Sequence, residues 1–263
     1  MIAIRPCAGF EELDACVQLE VEVWGMDASE IFPRKAFLLA QKVGGQAIGA
    51  FDTKLAQPGP KSLVGFVLSW PGIKNGASEP SPYLHSHMLA VREVYRNCGL
   101  GARLKQEQRR EALHRGIRHM EWTFDPLEIK NAHLNIRKLG AIARRYEVDF
   151  YGSSSSRLQG GLPTDRLVAE WQLDSPRVEA VLEGRPTAAN RIEERITVPA
   201  AIYQWKAGPA GRERALAVQL ENRRLFQQAF SQGLAVVGFT HDAEGNGVFE
   251  LASLTHAETG LKP

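Results

Sequence analysis

The sequence predicts an α/β fold of the α+β type, because two different patterns follow one another along the chain. In the first, extended runs at residues 46–52, 62–70 and 83–91 are separated by turns rich in proline and glycine, which indicates an antiparallel meander. In the second, after residue 91, helical and extended patterns alternate. Such alternation is typical of a sheet covered by helices.

Two helices precede the meander. Residues 10–24 carry apolar side chains at helical spacing and end at Gly25, and residues 33–42 begin at a proline, which the first helical turn tolerates. A short strand is expected at residues 3–6, ahead of both helices.

The rest of the chain is assigned in the same way. After the meander we expect a helix at about 100–114, a strand at 117–124, a helix at 131–139 and an extended segment at 146–151. Nearer the C-terminus we expect strands at 167–173 and 195–199, a long helix at 212–232 and a hairpin at 234–251.

A run of serines at residues 153–156, followed by two glycines and a proline, is the main candidate for a domain boundary. A chain of 263 residues is expected to form one or two domains. We therefore predict a first domain of residues 1–152 and a C-terminal extension of residues 153–263, which carries strands and one long helix.

Composition excludes several classes of protein. With 44% hydrophobic and 24% charged residues the chain is globular rather than disordered, and a net charge of +2 does not demand nucleic acid or an anionic membrane as partner. The cysteines, Cys7, Cys16 and Cys98, have no CxxC spacing, so neither a disulfide framework nor a metal site is expected. No stretch reads as a signal peptide or a membrane span, and a cytoplasmic location is the expectation.

The turn at residues 96–101 is the most informative motif. Arg96, Gly99 and Gly101 follow a strand and begin a helix, so free backbone amides and the positive end of a helix dipole meet there. Between residues 92 and 118 the chain has eight Lys or Arg against three Asp or Glu. The motif predicts an anion cradle, although a tight turn without a ligand would have the same short glycine pattern.

With these residues the sequence resembles the GNAT acyltransferase superfamily. The family signature, a strand of the form L-x-V and then Q/R-x-x-G-x-G/A at a helix start, is met by Leu89-Ala90-Val91 and Arg96-x-x-Gly99-x-Gly101. A second feature, an alanine followed by Lys-x-Gly, is met by Ala132 and Lys138-Leu139-Gly140. The resemblance covers roughly residues 1–152. It departs from the family at Glu93, where a proline is common, and at Ile136, where a tyrosine commonly serves as general acid.

The resemblance implies a twisted mixed sheet whose central strands splay apart around acetyl-CoA or another acyl-CoA, which is the co-substrate, with no metal. Backbone groups of Leu89 and Val91 would bind the pantetheine arm like an added strand. The pyrophosphate would be held by the turn, for which the residues are Arg96, Asn97, Cys98, Gly99, Gly101 and Ala102.

The implied reaction is direct attack of an amine on the thioester, which needs a group that removes a proton from the amine. His85 and His87 are expected on the same side of their strand as Leu89 and Val91, and His87 is the preferred base. A histidine that only satisfies a hydrogen bond in the core is the alternative. Glu121 and Asp125 are alternative bases. The plainer interpretation of Asp125 is a loop cap. The general acid that replaces the missing tyrosine would be Tyr151, Tyr146 or water.

The C-terminal extension contributes one candidate. Arg166 would bind a carboxylate of the acceptor or of the acyl group, whereas the plainer interpretation is a capped turn with a salt bridge between Asp165 and Arg166. The helix at 212–232 would cover the added strands or a partner subunit, and the latter would make the protein a homodimer.

The function predicted from the sequence is therefore an N-acyltransferase that moves an acetyl group, or a longer acyl group such as succinyl, from acyl-CoA to a small-molecule amine or amino acid. A non-catalytic acyl-CoA-binding regulatory module is the competing hypothesis, because the usual tyrosine is missing. Binding of nucleic acid ranks last, since the basic helix lacks interleaved aromatic residues.

Overall fold

The computed structural model describes residues 1–74, 80–187 and 190–254. The chain forms two compact units, Met1–Glu121 and Trp122–Pro263, which we call unit 1 and unit 2. The structure confirms a mixed α/β fold with helices on the faces of a sheet.

Unit 1 contains the meander and the elements around it. Its elements are β1 (Ile2–Pro6), α1 (Gly9–Trp24), α2 (Arg34–Lys42), β2 (Gln46–Asp52), β3 (Leu63–Lys74), β4 (Ser81–Val91), α3 (Leu100–His114) and the start of β5 (His119–Phe124). The strand order is β1-β2-β3-β4-β5. Neighbours up to β4 are antiparallel and β4 pairs with β5 in parallel, so the sheet is mixed, as predicted.

Helices cover both faces of this sheet. On one face, residues of α1 and α2 such as Leu19 and Phe37 share a buried cluster with Phe66 of β3. On the other face, Leu104 of α3 packs with Val67 of β3. We call these the α1–α2 face and the α3 face. Burial of apolar side chains on both sides provides the main stabilisation of unit 1.

A β-bulge interrupts the pairing of β3 with β4. Leu68 pairs with Met88, but the next residue of β3, Ser69, pairs with Ser86, so His87 is an extra residue in β4. A bulge places two residues of one strand opposite one residue of its partner and shifts the alternation of side chains. Side chains on the two sides of His87 therefore cannot be assigned to faces by simple period-two counting.

The pairing of β4 with β5 is short. Leu84 pairs with Met120 and His85 pairs with Glu121, whereas β4 continues to Val91. Beyond His85, the edge of β4 away from β3 is therefore not paired in register with β5.

Unit 2 contains the C-terminal half of the fold. Its elements are the end of β5, α4 (Ile129–Ala132) with a π-helical turn (His133–Lys138), β6 (Ile142–Glu147), β7 (Arg166–Gln172), α5 (Pro176–Leu182), β8 (Glu194–Val198), α6 (Ile202–Lys206), α7 (Arg212–Ser231), β9 (Leu234–His241) and β10 (Gly247–Ser253). The strand order is β7-β6-β9-β10-β8.

Most predicted elements of unit 2 are present, with shifted bounds. The extended segment expected at 146–151 begins earlier, as β6, because its buried residues Ile142 and Ala143 precede the polar ones. The helices α5 and α6 were not predicted, since they are too short for periodicity to show.

Contacts within unit 2 cross the serine run at 153–156. β6 pairs with β7 across it, and the indole of the fully buried Trp171 donates a hydrogen bond of 2.7 Å to the Leu139 carbonyl. That residues 1–152 and residues 153–263 fold separately stays a prediction.

Candidate functional site

The turn between β4 and α3 is open to solvent and carries free backbone amides. Asn97 has φ +61° and Gly99 has φ +81°, and a Cβ on Gly99 would have no atom within 4 Å. The first amides of α3 have no intrahelical partner, as at every helix start. An exposed turn with left-handed residues and unpaired amides fits a pyrophosphate group.

The open edge of β4 leads to this turn. The Arg92 amide donates to the Val64 carbonyl of β3 at 2.9 Å, so by alternation the backbone groups of Val91 and Leu89 point away from β3. Arg96 Nε lies 3.0 Å from the Val91 carbonyl oxygen, on that outer edge. The residues predicted to bind pantetheine and pyrophosphate thus follow one continuous edge of unit 1.

The prediction that His87 shares a face with Leu89 and Val91 is wrong. The His87 ring lies on the α1–α2 face, where its centroid is 4.4 Å from that of Phe32, a residue that packs against the cluster of that face. Leu89 and Val91 pack on the α3 face. The bulge at His87 is the physical reason, because the extra residue reverses the alternation of the strand.

Several titratable side chains gather on the α1–α2 face around the start of β5, and we call them the β4–β5 polar cluster. Its members are Lys74, Tyr83, His85, His87, His119 and Glu121. Lys74 Nζ contacts a carboxylate oxygen of Glu121 and lies 3.0 Å from His119 Nε2, which is 3.1 Å from the same oxygen. The Tyr83 ring lies across Gly72, where a Cβ would come within 2.5 Å of it.

His87 and Glu121, the two predicted bases of unit 1, differ in their surroundings. Burial, followed by the charge of the nearby His85, lowers the pKa of His87 to about 4. His87 is therefore neutral at pH 7, and the same burial disfavours its protonated form. Glu121 is 5% exposed, and its carboxylate is in contact with Lys74 and His119.

A buried carboxyl lies behind Phe32. Glu20 of α1 is fully buried, and its Oε1 accepts the Phe32 amide at 3.0 Å while Oε2 has no hydrogen-bond partner. Burial raises the pKa of Glu20 to about 7, which the Phe32 amide opposes. Glu20 thus connects α1 to the segment that carries the ring beside His87.

On the α3 face a buried polar network lies next to the bulge. Lys105 Nζ donates to Ser86 Oγ at 2.7 Å, and Ser86 Oγ donates to Gln108 Oε1 at 2.9 Å. Gln46 Nε2 donates to the Gln108 carbonyl at 3.0 Å. Lys105 is 2% exposed, and burial lowers its pKa well below 10.5. This network explains why the polar Gln108 lies on the otherwise apolar face of α3.

In unit 2 the structure brings Tyr151 and Arg166 together. The Arg166 guanidinium carbon lies 5.3 Å from the Tyr151 ring centroid, and Tyr151 Oη is 2.8 Å from Thr123 Oγ1. The expectation of a salt bridge between Asp165 and Arg166 is wrong. Asp165 is fully buried and pairs with Arg223 at 2.8 Å, because Arg223 of α7 reaches it across the unit.

The remaining candidates have structural roles in unit 2. Asp125 Oδ1 accepts the Leu127 amide at 2.8 Å, which confirms the loop cap, and its other oxygen pairs with Lys206. Ile136, at the position of the family tyrosine, is 1% exposed. Tyr146 donates to Asp165 at 2.7 Å, and burial together with this bond raises its pKa.

Some site residues were not identified from the sequence. His119 could have been found, because it lies two residues before Glu121 on a strand and so shares its face. Lys74 belongs to another strand and Glu20 to a helix, and no spacing in the sequence connects them to the site. Within the described ranges, no group of three or more His, Cys, Asp or Glu gathers as metal ligands would, and no helix is long and apolar enough to span a membrane.

Comparison with known proteins identifies the same segment. The profile of the Acetyltransferase (GNAT) family matches residues 17–140. No curated protein sequence matches the chain.

Solved structures show a similar fold. NAA60 of Arabidopsis thaliana in complex with acetyl-CoA has a TM-score of 0.52 at 16% identity, covering 65% of this chain and 99% of that one. NAA60 with a bisubstrate analogue has a TM-score of 0.50 at 14% identity, covering 65% and 98%. The NatC complex bound to Gag peptide and CoA has a TM-score of 0.50 at 15% identity, again covering 65% and 98%.

Proposed function

Because residues 17–140 match the profile of the Acetyltransferase (GNAT) family, we propose that the protein transfers an acyl group from acyl-CoA to the amine of a small molecule or amino acid. The acyl group is acetyl, or a longer group such as succinyl. The observation that carries this proposal is the outer edge of β4, which is unpaired in register beyond His85 and ends at the exposed turn of residues 96–102.

This edge fits the two parts of a CoA molecule. The outward backbone groups of Leu89 and Val91 suit the amides of pantetheine, as in the addition of a strand to a sheet. The turn offers its amides and the Arg96 guanidinium to the pyrophosphate, where charge-assisted hydrogen bonds are strongest.

The chemistry is a direct displacement. The amine nitrogen attacks the thioester carbon, the C–N bond forms, the C–S bond breaks, and the departing thiolate takes up a proton while the amine loses one. Amides on the open edge of β4 would polarise the carbonyl, and His87 would take the amine proton directly or through a water molecule. Because His87 is neutral at pH 7, no prior deprotonation of the base is needed.

Glu121 is the alternative base. Its contacts with Lys74 and His119 stabilise the carboxylate and occupy an oxygen that would receive the proton, which favours His87. Tyr151 stays the proposed proton donor to the thiolate, with water as the alternative, and Arg166 stays the proposed substrate-binding residue.

A second function is kept because of one residue. Ile136 is buried where the family commonly has a tyrosine acid, so the chain would serve as a non-catalytic acyl-CoA-binding module if no other donor acts. Both functions need CoA binding, and only the transferase releases a free thiol together with an acylated amine.

One assay separates these functions and tests the acceptor class. The full chain is incubated with acetyl-CoA or succinyl-CoA and an amino acid, its amide or a short peptide, and free thiol and acylated product are measured by mass spectrometry. We expect thiol release coupled to acylation of the amino acid. Acylation of the peptide alone would reject the small-molecule acceptor, and CoA binding without any coupled release would favour the regulatory module.

The proposal also covers the location, the partners and the oligomeric state of the protein. We propose a cytoplasmic protein whose partner is the small amine rather than nucleic acid or a membrane, with a homodimer as a further expectation. Size-exclusion chromatography with light scattering tests the oligomeric state.

A further inference from the structure

Two segments of unit 2 are joined into one rigid loop structure, residues 149–152 and residues 163–166. Thr164 is fully buried, and its hydroxyl accepts the Tyr151 amide at 2.9 Å while its carbonyl accepts the Phe150 amide at 3.0 Å. The Thr164 amide donates to Asp149 Oδ1 at 3.0 Å. Asp149 is a non-glycine residue with φ +47°, a conformation that persists only where surrounding contacts impose it.

Asp165 anchors this structure and leaves Arg166 without its carboxylate. The buried Asp165 accepts two hydrogen bonds from Arg223, at 2.8 and 2.9 Å, one from Tyr146 at 2.7 Å and one from the Asp149 amide at 3.1 Å. Its charge is therefore compensated by Arg223. In the described ranges of the chain no carboxylate forms an ion pair with Arg166.

The guanidinium of Arg166 is nevertheless held in place. Nη1 donates to the Asp165 carbonyl at 2.8 Å and Nη2 donates to Gln159 Oε1 at 3.1 Å. Gln159 is 5% exposed and is itself fixed by a bond of 2.8 Å from its Nε2 to the Pro163 carbonyl. The remaining N–H groups, on Nε and on both terminal nitrogens, have not been used by these bonds.

We propose that Arg166 of unit 2 binds the carboxylate of a small organic acid, with the Tyr151 ring beside it. A planar guanidinium with adjacent free N–H groups matches a planar carboxylate, and one uncompensated cation matches a monoanion better than a phosphate dianion. The rings of Tyr151 and Phe150 are 45% and 46% exposed and lie 4.7 Å apart, so the ligand carries an apolar body.

This site is built rather than incidental. The buried Gln159 holds the Arg166 guanidinium. The buried Thr164 holds the Tyr151 backbone, and the Tyr151 hydroxyl lies 2.8 Å from Thr123 Oγ1. Such preorganisation lowers the entropy lost on binding, since the side chains do not have to be ordered by the ligand. The inference rests on the proposed function, in which Arg166 binds the substrate, and it names the chemical class of that ligand.

Binding is tested on the full chain without acyl-CoA, so its outcome is separate from that of the transfer assay. The probe is phenylacetate, and phenylacetamide is the neutral control of the same shape; both are titrated by ligand-observed NMR. We expect phenylacetate to bind and phenylacetamide to bind at least about 10-fold more weakly, because only the former makes a charge-assisted pair. Equal binding of the two probes, or tighter binding of inorganic phosphate than of phenylacetate, would overturn the proposal.

Variants locate the site. Arg166→Gln is expected to weaken phenylacetate binding about 10- to 100-fold, and Arg166→Lys, which keeps the charge but loses the planar pair of donors, to weaken it less. Arg157→Gln is the matched control, since Arg157 is exposed and the change in charge is the same. Circular dichroism establishes that each variant is folded. Unchanged binding in folded Arg166→Gln would place the ligand elsewhere.

Discussion

His87 and Leu89 lie two residues apart on β4, yet they pack on opposite faces of the sheet of unit 1, His87 beside Phe32 and Leu89 beside the residues that face α3. The bulge at His87 causes this arrangement. One strand thereby presents an imidazole to the α1–α2 face while its outer edge continues towards the turn at residue 96. Thus β4 carries the proposed base and leads to the proposed anion cradle.

CoA binding should depend on that turn. Arg96→Ala removes a charge-assisted contact of about 1.5–3 kcal/mol, which corresponds to roughly a 10- to 100-fold loss of affinity. Gly101→Val is expected to obstruct approach of the phosphate to the backbone. Calorimetry with CoA measures both effects, and Arg110→Ala, an exposed arginine near the other end of α3, is the control. CoA affinity unchanged in a folded Gly101→Val protein would exclude this site.

His87 should control the chemical step. His87→Ala is expected to lower kcat about 10²- to 10⁴-fold with little change in CoA affinity. Because the pKa of His87 lies at about 4, the wild-type kcat should fall only as the pH approaches 4, when the imidazole is protonated, and this acidic limb should disappear in the variant. His114→Ala, an exposed histidine of α3, serves as the control. Full activity and the same pH profile in His87→Ala would make His87 structural and Glu121 the preferred base.

Lys105 should make stability depend on alkaline pH. Burial lowers the pKa of Lys105 in the folded chain below 10.5, its value in the unfolded chain. At a pH between these two pKa values the unfolded chain holds a proton that the folded chain has lost, so stability rises with pH. Lys105→Met removes the buried charge and should raise the free energy of unfolding at pH 7 and flatten that rise. Urea unfolding at several pH values measures this, with the exposed Lys61→Met as reference. A large destabilisation at pH 7 would mean that the bonds of Lys105 outweigh its desolvation.

Glu20 should act in the opposite sense. Its pKa rises from 4.5 to about 7 on folding, so the unfolded chain releases the proton first and stability falls as the pH rises from 4.5 to 7. This shift corresponds to about 3 kcal/mol above pH 7. Glu20→Gln should recover a large part of it and remove the slope. Thermal unfolding against pH is the measurement, and Glu11→Gln, exposed on the same helix, should leave the slope in place.

The serine run should be the first site of limited proteolysis. Ser153 is exposed at a position where nicking is favoured, and a fragment of residues 1–152 would contain the whole of unit 1 with the turn and the outer edge of β4. We therefore expect this fragment to bind CoA. If the fragment does not fold, residues 1–152 require the pairing of β6 with β7 and the contact between Trp171 and Leu139 for their structure.

The sequence alone predicted much of unit 1. Hydrophobic periodicity located α1, the proline at its start located α2, and turns rich in proline and glycine delimited the three strands of the meander, because each of these signals is local in the chain. The turn at residues 96–101 was identified for a related reason, since glycine spacing at a helix start is a property of consecutive residues. These features depend on neighbours in the chain.

The tertiary structure decided what depends on distant residues. A bulge is an irregularity of pairing between β3 and β4, so nothing in the alternation of β4 itself could place His87 opposite to Leu89. Likewise, Asp165 pairs with Arg223 of α7 rather than with its neighbour Arg166, because a buried carboxylate takes the partner that packing brings to it. The hydrogen bonds that hold the Arg166 guanidinium and the contact of Lys74 with Glu121 follow from folding, and the sequence carries no local signal for either.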